Sequence, residues 1–133
     1  MRMLIDLAQH QNDGWVSLKD IAARQNVSKK YLEQIVPIFN KENILKTNRG
    51  FQGGYMLART TDKYTVGEIL RLTEGSLSPV DFSDTDVSES SGEYAMLPVW
   101  KELDRQINSY LDSVTLRDIL DSMQERYGGD YVI

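Results

Sequence analysis

Cysteine is absent from the chain, and histidine occurs once, at position 10. The first absence excludes a disulfide scaffold, thiolate ligation of zinc or an iron–sulfur cluster, a cysteine nucleophile and a thiol redox switch. The second excludes any metal cage built from several histidines. No apolar run reaches the roughly 18 residues of a membrane span, and no basic-then-apolar leader opens the chain. A cytoplasmic location is expected. No nucleophile–base pair and no metal-ligand set is visible, so neither an enzyme nor a cofactor is expected. At 133 residues and 15.2 kDa the chain fills one domain, or one domain with a dimerisation arm.

The net charge of −5 hides an asymmetry. Residues 17–63 carry nine Lys/Arg against four acids, a balance of +5, whereas residues 64–133 come to −9 and residues 1–16 to −1. A basic block within an acidic protein points to one local anion-binding surface; the alternative is a set of solvated faces.

Apolar spacing reads residues 2–10 as a helix carrying Met3, Leu4, Leu7 and Ala8, followed by a loop over 11–14. Ser17 with Asp20, Thr65 with Glu68 and Thr115 with Asp118 have capping-box spacing, and Ser28 opens a further helix. Pro37 is expected to kink or shorten that helix. Short strands are expected at 44–48 and 55–59, around the turn Arg49-Gly50-Phe51-Gln52-Gly53-Gly54. A loop over 76–97, rich in Ser and acids, separates a unit at 1–75 from helices at 98–127 and a tail at 128–133. The long helix is expected to begin at about Pro98. Its apolar seam of Trp100, Leu103, Ile107, Leu111 and Val114 serves either as core or as a dimer contact.

The most informative pattern is Ala22-x-x-x-Asn26-Val27-Ser28-x-x-x-Leu32-x-x-Ile35. A helix-turn-helix needs a small residue where its helices cross, a left-handed position after it, and an apolar plug at the junction. Ser28, Lys29, Lys30, Tyr31 and Gln34 then lie at or beyond the start of the second helix, away from its apolar positions. These are residue types that contact phosphates and base edges. The hairpin that follows makes a wing, with Asn48, Arg49 and Gly50 at its tip and Lys46 and Arg59 on its flanks. A slim Arg beside glycine suits a narrow minor groove. The glycines fail as a nucleotide loop because no Gly-Lys-Ser/Thr follows.

Several segments in order resemble one family. They are Ser17-Leu-Lys-Asp-Ile-Ala-Ala-Arg-Gln, Ser28-Lys-Lys-Tyr-Leu-Glu-Gln, Arg49-Gly-Phe-Gln-Gly-Gly-Tyr, Thr65-Val-Gly-Glu-Ile, Glu74-Gly-Ser-Leu-Ser-Pro-Val, Trp100-Lys-Glu-Leu and Leu111-Asp-Ser-Val-Thr-Leu-Arg-Asp. Together they resemble the Rrf2 (Rrf-two) family of bacterial winged-helix regulators across nearly the whole chain. The resemblance implies a mostly helical fold with a small β-wing. It also implies a homodimer joined through Trp100, Leu103, Ile107 and Leu111, and a repressor that binds double-stranded DNA.

The chain departs from the family in three ways. Cluster-binding members carry three cysteines and a histidine ahead of the long helix, where this chain has no cysteine and has Leu97 at the histidine's place. A basic segment that usually precedes the position of Met1 is not in the sequence, so the start is either placed late or shortened. Pro37 stands one position early, and Asn43 replaces a helix-ending glycine. The cysteine-free loop and the tail are most similar to the family's repressors of cysteine metabolism. That likeness implies a further partner, a cysteine synthase (O-acetylserine sulfhydrylase), which would capture Tyr131, Val132 and Ile133 by the terminal carboxylate. A tail that packs back or frays is the alternative. The other reading of the whole chain is a dimeric interaction subunit that does not bind DNA and engages an enzyme through its tail.

Overall fold

The computed structural model describes residues 1–51, 53–78 and 92–128. Among the described residues six helices and one hairpin follow in the order α1 (Arg2–Gln9), α2 (Leu18–Gln25), α3 (Lys29–Lys41), β1 (Leu45–Asn48), β2 (Gly54–Leu57), α4 (Val66–Glu74), α5 (Gly92–Ser113) and α6 (Leu116–Gly128). Single 3-10 turns lie at Gln11–Asp13 and Thr61–Lys63. Among the described residues no helix is long and apolar enough to cross a membrane.

Side-chain oxygens start four of the helices. The hydroxyls of Ser17, Ser28, Thr65 and Thr115 accept from the backbone N–H three residues on, at 3.0–3.1 Å. Only Thr115 forms a reciprocal box, its own N–H donating to Asp118 at 2.9 Å. Glu68 turns instead to Arg59, which costs the second half of the box expected at Thr65. α3 ends with Asn43 at φ 58°, while Ile44 N–H donates to the Phe39 carbonyl. This left-handed exit is the reason a glycine suits the position and why asparagine can replace it.

The core lies between α1, α2, α3, α4 and the hairpin. Leu4, Leu7, Ile21, Phe39, Ile44, Tyr64, Ile69 and Leu116 are all but sealed from solvent. β1 and β2 pair antiparallel, with Thr47 opposite Tyr55, and Val16 adds a rung on the other edge by exchanging two backbone bonds with Tyr55. Gly54 makes that rung possible, because a Cβ there would lie 2.5 Å from the Val16 carbonyl oxygen. The joint between α5 and α6 is pinned to the core by Val66 N–H on the Val114 carbonyl and Leu116 N–H on the Tyr64 carbonyl.

Three expectations about boundaries need correction. α3 continues four residues beyond Pro37 to Lys41, because Val36 and Phe39 anchor it on the core side while Pro37 sits on the exposed side. α5 begins at Gly92 rather than about Pro98, so residues 92–97 of the expected loop are helical and Pro98 lies inside the helix. Residues 79–91 of that loop fall outside the described part. β2 ends at Leu57, two residues short: Ala58 N–H still pairs with the Ile44 carbonyl, but Arg59 is drawn away to Glu68.

One carboxylate is sealed in this core. Asp6 on α1 accepts two bonds from Arg24 (2.9 and 2.8 Å) and one from Gln25 (3.0 Å), both at the end of α2. Burial pushes its pKa up, but the Arg24 and Gln25 bonds outweigh burial and hold it below the ordinary aspartate value. A depressed folded pKa stabilises the fold above the unfolded-state pKa and loses that contribution as pH falls through the folded value. Thermal melts should therefore show stability dropping below about pH 4, with a smaller acid-dependent loss in Asp6→Asn. Asp6→Ala leaves Arg24 and Gln25 without their acceptor and should cost about 1–3 kcal/mol at neutral pH.

Candidate nucleic-acid interface

Ser28 caps α3, and its position decides what the helix shows to solvent. With Leu32, Val36 and Phe39 turned inward, Lys29, Lys30, Tyr31 and Gln34 are exposed. Lys29 lies 4.0 Å from Glu33, both more than half exposed, a pair too weakly held to withdraw the lysine from other partners. Upstream, α2 ends at Asn26 with φ 54° and ψ 46°, and Val27 N–H donates to the Ala22 carbonyl. Ala22, Val27 and Ile35 are partly buried against the core. The helix-turn-helix pattern of the sequence is thus realised residue by residue.

The wing turn is built by Asn48, whose side-chain oxygen accepts from Gly50 N–H at 3.1 Å, and by Gly53 N–H on the Gly50 carbonyl at 2.9 Å. Asn48 is half-buried and shapes the turn, while Arg49 and Gly50 are exposed. Phe51, not among the expected contact residues, is fully exposed at the same tip. A large apolar residue between glycines in a tight turn has no core to enter, and that spacing is visible in the sequence. Thr47 donates to Asn40 at 3.0 Å and ties β1 to α3. An open cleft of about 770 Å³ runs between them, lined by Val36, Pro37 and Asn40 on one side and Asn48, Arg49 and Phe51 on the other.

Not every cation of the basic block belongs to this surface. Arg59 donates to both oxygens of Glu68 and to the carbonyls of Glu42 and Lys63, and its guanidinium stands 5.3 Å from the Tyr64 ring centre. It is a structural strut and not a flank of the wing's outer surface. Arg24 is likewise held by Asp6. Lys29, Lys30, Lys46 and Arg49 remain exposed.

α5 has no fully buried residue. Trp100, Ile107 and Leu111 are half-buried and Leu103 is exposed, as are Met96, Val99 and Tyr110. Met96 extends the seam of Trp100, Leu103, Ile107, Leu111 and Val114 towards the start of the helix, and Tyr110 lies beside Leu111, so that Met96, Trp100, Leu103, Ile107, Tyr110 and Val114 also run with a 4-3-4-3-4 spacing. An apolar stripe this long, with Met96, Leu103 and Tyr110 exposed, has the pattern of a helix–helix contact. Tyr131, Val132 and Ile133 lie outside the described residues.

The iron–sulfur cluster of the cluster-binding members does not fit these residues. The chain has no thiolate, and His10 is engaged through Nδ1 with the Asp6 carbonyl of its own helix at 2.8 Å. Among the described residues no group of three or more His, Cys, Asp or Glu could hold a metal ion.

The profile of the Rrf2 family, described as an iron-dependent transcriptional regulator, matches residues 1–122. The chain is 35% identical over 130 residues to the HTH-type transcriptional regulator CymR of Bacillus subtilis, covering 96% of this chain and 90% of that protein. The solved structure of CymR, the global cysteine regulator of B. subtilis, superposes with a TM-score of 0.76 over 91% of this chain and 89% of that one. The solved structure of T. potens IscR is 42% identical and superposes with a TM-score of 0.74 over 94% of this chain and 82% of that one. A helix-turn-helix with its wing, followed by a long helix with a partly exposed apolar stripe, agrees with these matches. The chain belongs to the Rrf2 family of transcriptional regulators.

Proposed function

We propose that this regulator acts as a DNA-binding repressor, a cytoplasmic homodimer that reads two half-sites without an iron–sulfur cluster. The outer face of α3 carries the reading: Lys29, Lys30, Tyr31 and Gln34 stand free of the core beside a wing whose tip exposes Arg49. In this reading α3 enters the major groove from its capped end, Ser28 and the lysines meet phosphates, and Gln34 reads base edges. Asn48 and Gly50 hold the turn that carries Arg49 to the adjacent backbone or minor groove. Trp100, Leu103, Ile107 and Leu111 join the two copies. The alternative of a subunit that does not bind DNA is not favoured, since the exposed Lys29, Lys30 and Arg49 and the likeness to transcriptional regulators support the DNA reading.

The reading is tested with a duplex selected from a random pool by the full chain. Two copies of α3 and the wing should touch on the order of 6–10 phosphates, so affinity should fall about 10³–10⁵-fold between 50 and 200 mM salt. Arg49→Ala should weaken binding to all duplexes, while Gln34→Ala should relax preference at one position of each half-site. Failure to enrich any sequence, or salt-independent binding, contradicts the reading.

The likeness to a cysteine regulator supports a finer proposal: a link to cysteine metabolism, with the tail Tyr131, Val132 and Ile133 captured by O-acetylserine sulfhydrylase. Ile133 offers a carboxylate together with an apolar side chain, as a substrate-mimicking peptide needs. Calorimetric titration of that enzyme with the full chain should show binding that is lost on deleting Ile133 and competed by O-acetylserine. Absent heat, or heat unchanged by the deletion, contradicts the link.

A further inference from the structure

α5 is held to the rest of the chain by a polar ladder. Arg71 on α4 donates from one nitrogen to Asp112 Oδ1 at 2.7 Å, and from the other to Asp112 Oδ2 at 3.0 Å and Asn108 Oδ1 at 2.7 Å. One turn further along α5, Asn108 donates to the Asp104 carboxylate at 3.0 Å, which in turn accepts from Ser78 Oγ. Residues 104, 108 and 112 thus form one line of successive turns facing α4 and the segment after it. Gly67 permits the approach: a Cβ there would lie 2.1 Å from Asp112 Oδ1.

The chemistry of this contact decides its role. Arg71 and Asp112 are each more than a third exposed, so their pairing adds little to stability. A planar guanidinium that grips three acceptors at once is, however, a directional device, which a lysine cannot reproduce. It acts at the base of a lever. The 22 residues of α5 span about 33 Å, so a tilt of about 10° at the base moves the far end by about 6 Å. A base pair rises about 3.4 Å along the duplex. A small error in how α5 leaves α4 therefore shifts a second copy by more than one base-pair step.

We propose that Arg71, gripping Asp112 and Asn108, is a positioning residue that sets the separation of the two recognition helices in the dimer, and hence the half-site spacing the regulator accepts. The inference rests on the dimer of the proposed function. It gives a role in operator choice to a residue far in sequence from the α3 face, one that contacts no DNA.

The absence of cysteine makes a direct test available, because Lys30→Cys creates a single labelling site per chain. Spin labels at that site in the full-length dimer report the distance between the two copies of α3 without DNA. The unmodified ladder should give one narrow distribution. Arg71→Gln and Asp112→Asn should each broaden or shift it while leaving circular dichroism and dimer mass unchanged, and Arg71→Lys should fall between. Arg105→Gln, which breaks only the Arg105–Glu102 pair on the solvent side of the same helix, should leave it narrow. In parallel, selection from a random duplex pool should return the same half-site sequence for Arg71→Gln but a wider range of spacings. If one arrangement in ten is then competent, affinity at the original spacing falls about tenfold. An unchanged distribution in Arg71→Gln overturns the proposal while leaving the DNA reading intact. A labelled Lys30→Cys chain with its ladder unmodified that shows no dipolar coupling contradicts the dimer itself, and the proposal with it.

Discussion

The direction in which this protein faces its partner depends on one residue in a left-handed backbone. Asn26 turns the chain between α2 and α3, and the corner is closed by the Val27 N–H on the Ala22 carbonyl. A non-glycine residue adopts this conformation at a cost that a firm surround must offset. Here the surround is Asp6, which grips Arg24 and Gln25 immediately before the corner, and the partly buried Val27 immediately after it. A helix rotates about 100° per residue. A slip of one position at the corner would put Glu33, Pro37 and Asn40, or else Tyr31, Ile35 and Ile38, where Leu32, Val36 and Phe39 now pack.

Electrostatics follows from that orientation. The chain is acidic overall, with most of its acids after residue 64, and a polyanion is repelled from that half. Of the nine cations between residues 17 and 63, Arg24 and Arg59 are occupied within the fold by Asp6 and Glu68. The other seven are exposed: Lys29, Lys30, Lys46 and Arg49 belong to α3, β1 and the wing turn, Lys19 to α2, Lys41 to the end of α3 and Lys63 to the turn before α4. Four of these seven thus stand on a projecting helix beside a narrow glycine-rich turn, a shape that matches two grooves of a duplex.

Local features were legible in the sequence, and features that depend on distant partners were not. The caps at Ser17, Ser28, Thr65 and Thr115, the corner at Asn26 and the stop at Gly75 are set by neighbours within a few residues, and all could be read directly. The reach of α3 beyond Pro37 depends on Phe39 finding a core that the local pattern does not display. The early start of α5 departs from the usual meaning of proline as a first-turn residue. The strut role of Arg59 is hidden from local sequence because its bonds to Glu68 and Glu42 join elements apart in the chain. The same holds for Asp6 with Arg24 and for Arg71 with Asp112, 18 and 41 residues apart. At the site itself, the exposed residues of α3 were identified from spacing alone, whereas the turn-building role of Asn48 required the structure.

The central claim is that α3 and the wing together form the surface that meets DNA. Amide hydrogen exchange of the full chain, with and without a duplex selected from a random pool, addresses it most directly. The account predicts new protection at residues 28–34 and 48–51, with α6 unchanged. Protection confined to α5 and α6, or no change at the α3 start and the wing turn, would contradict it.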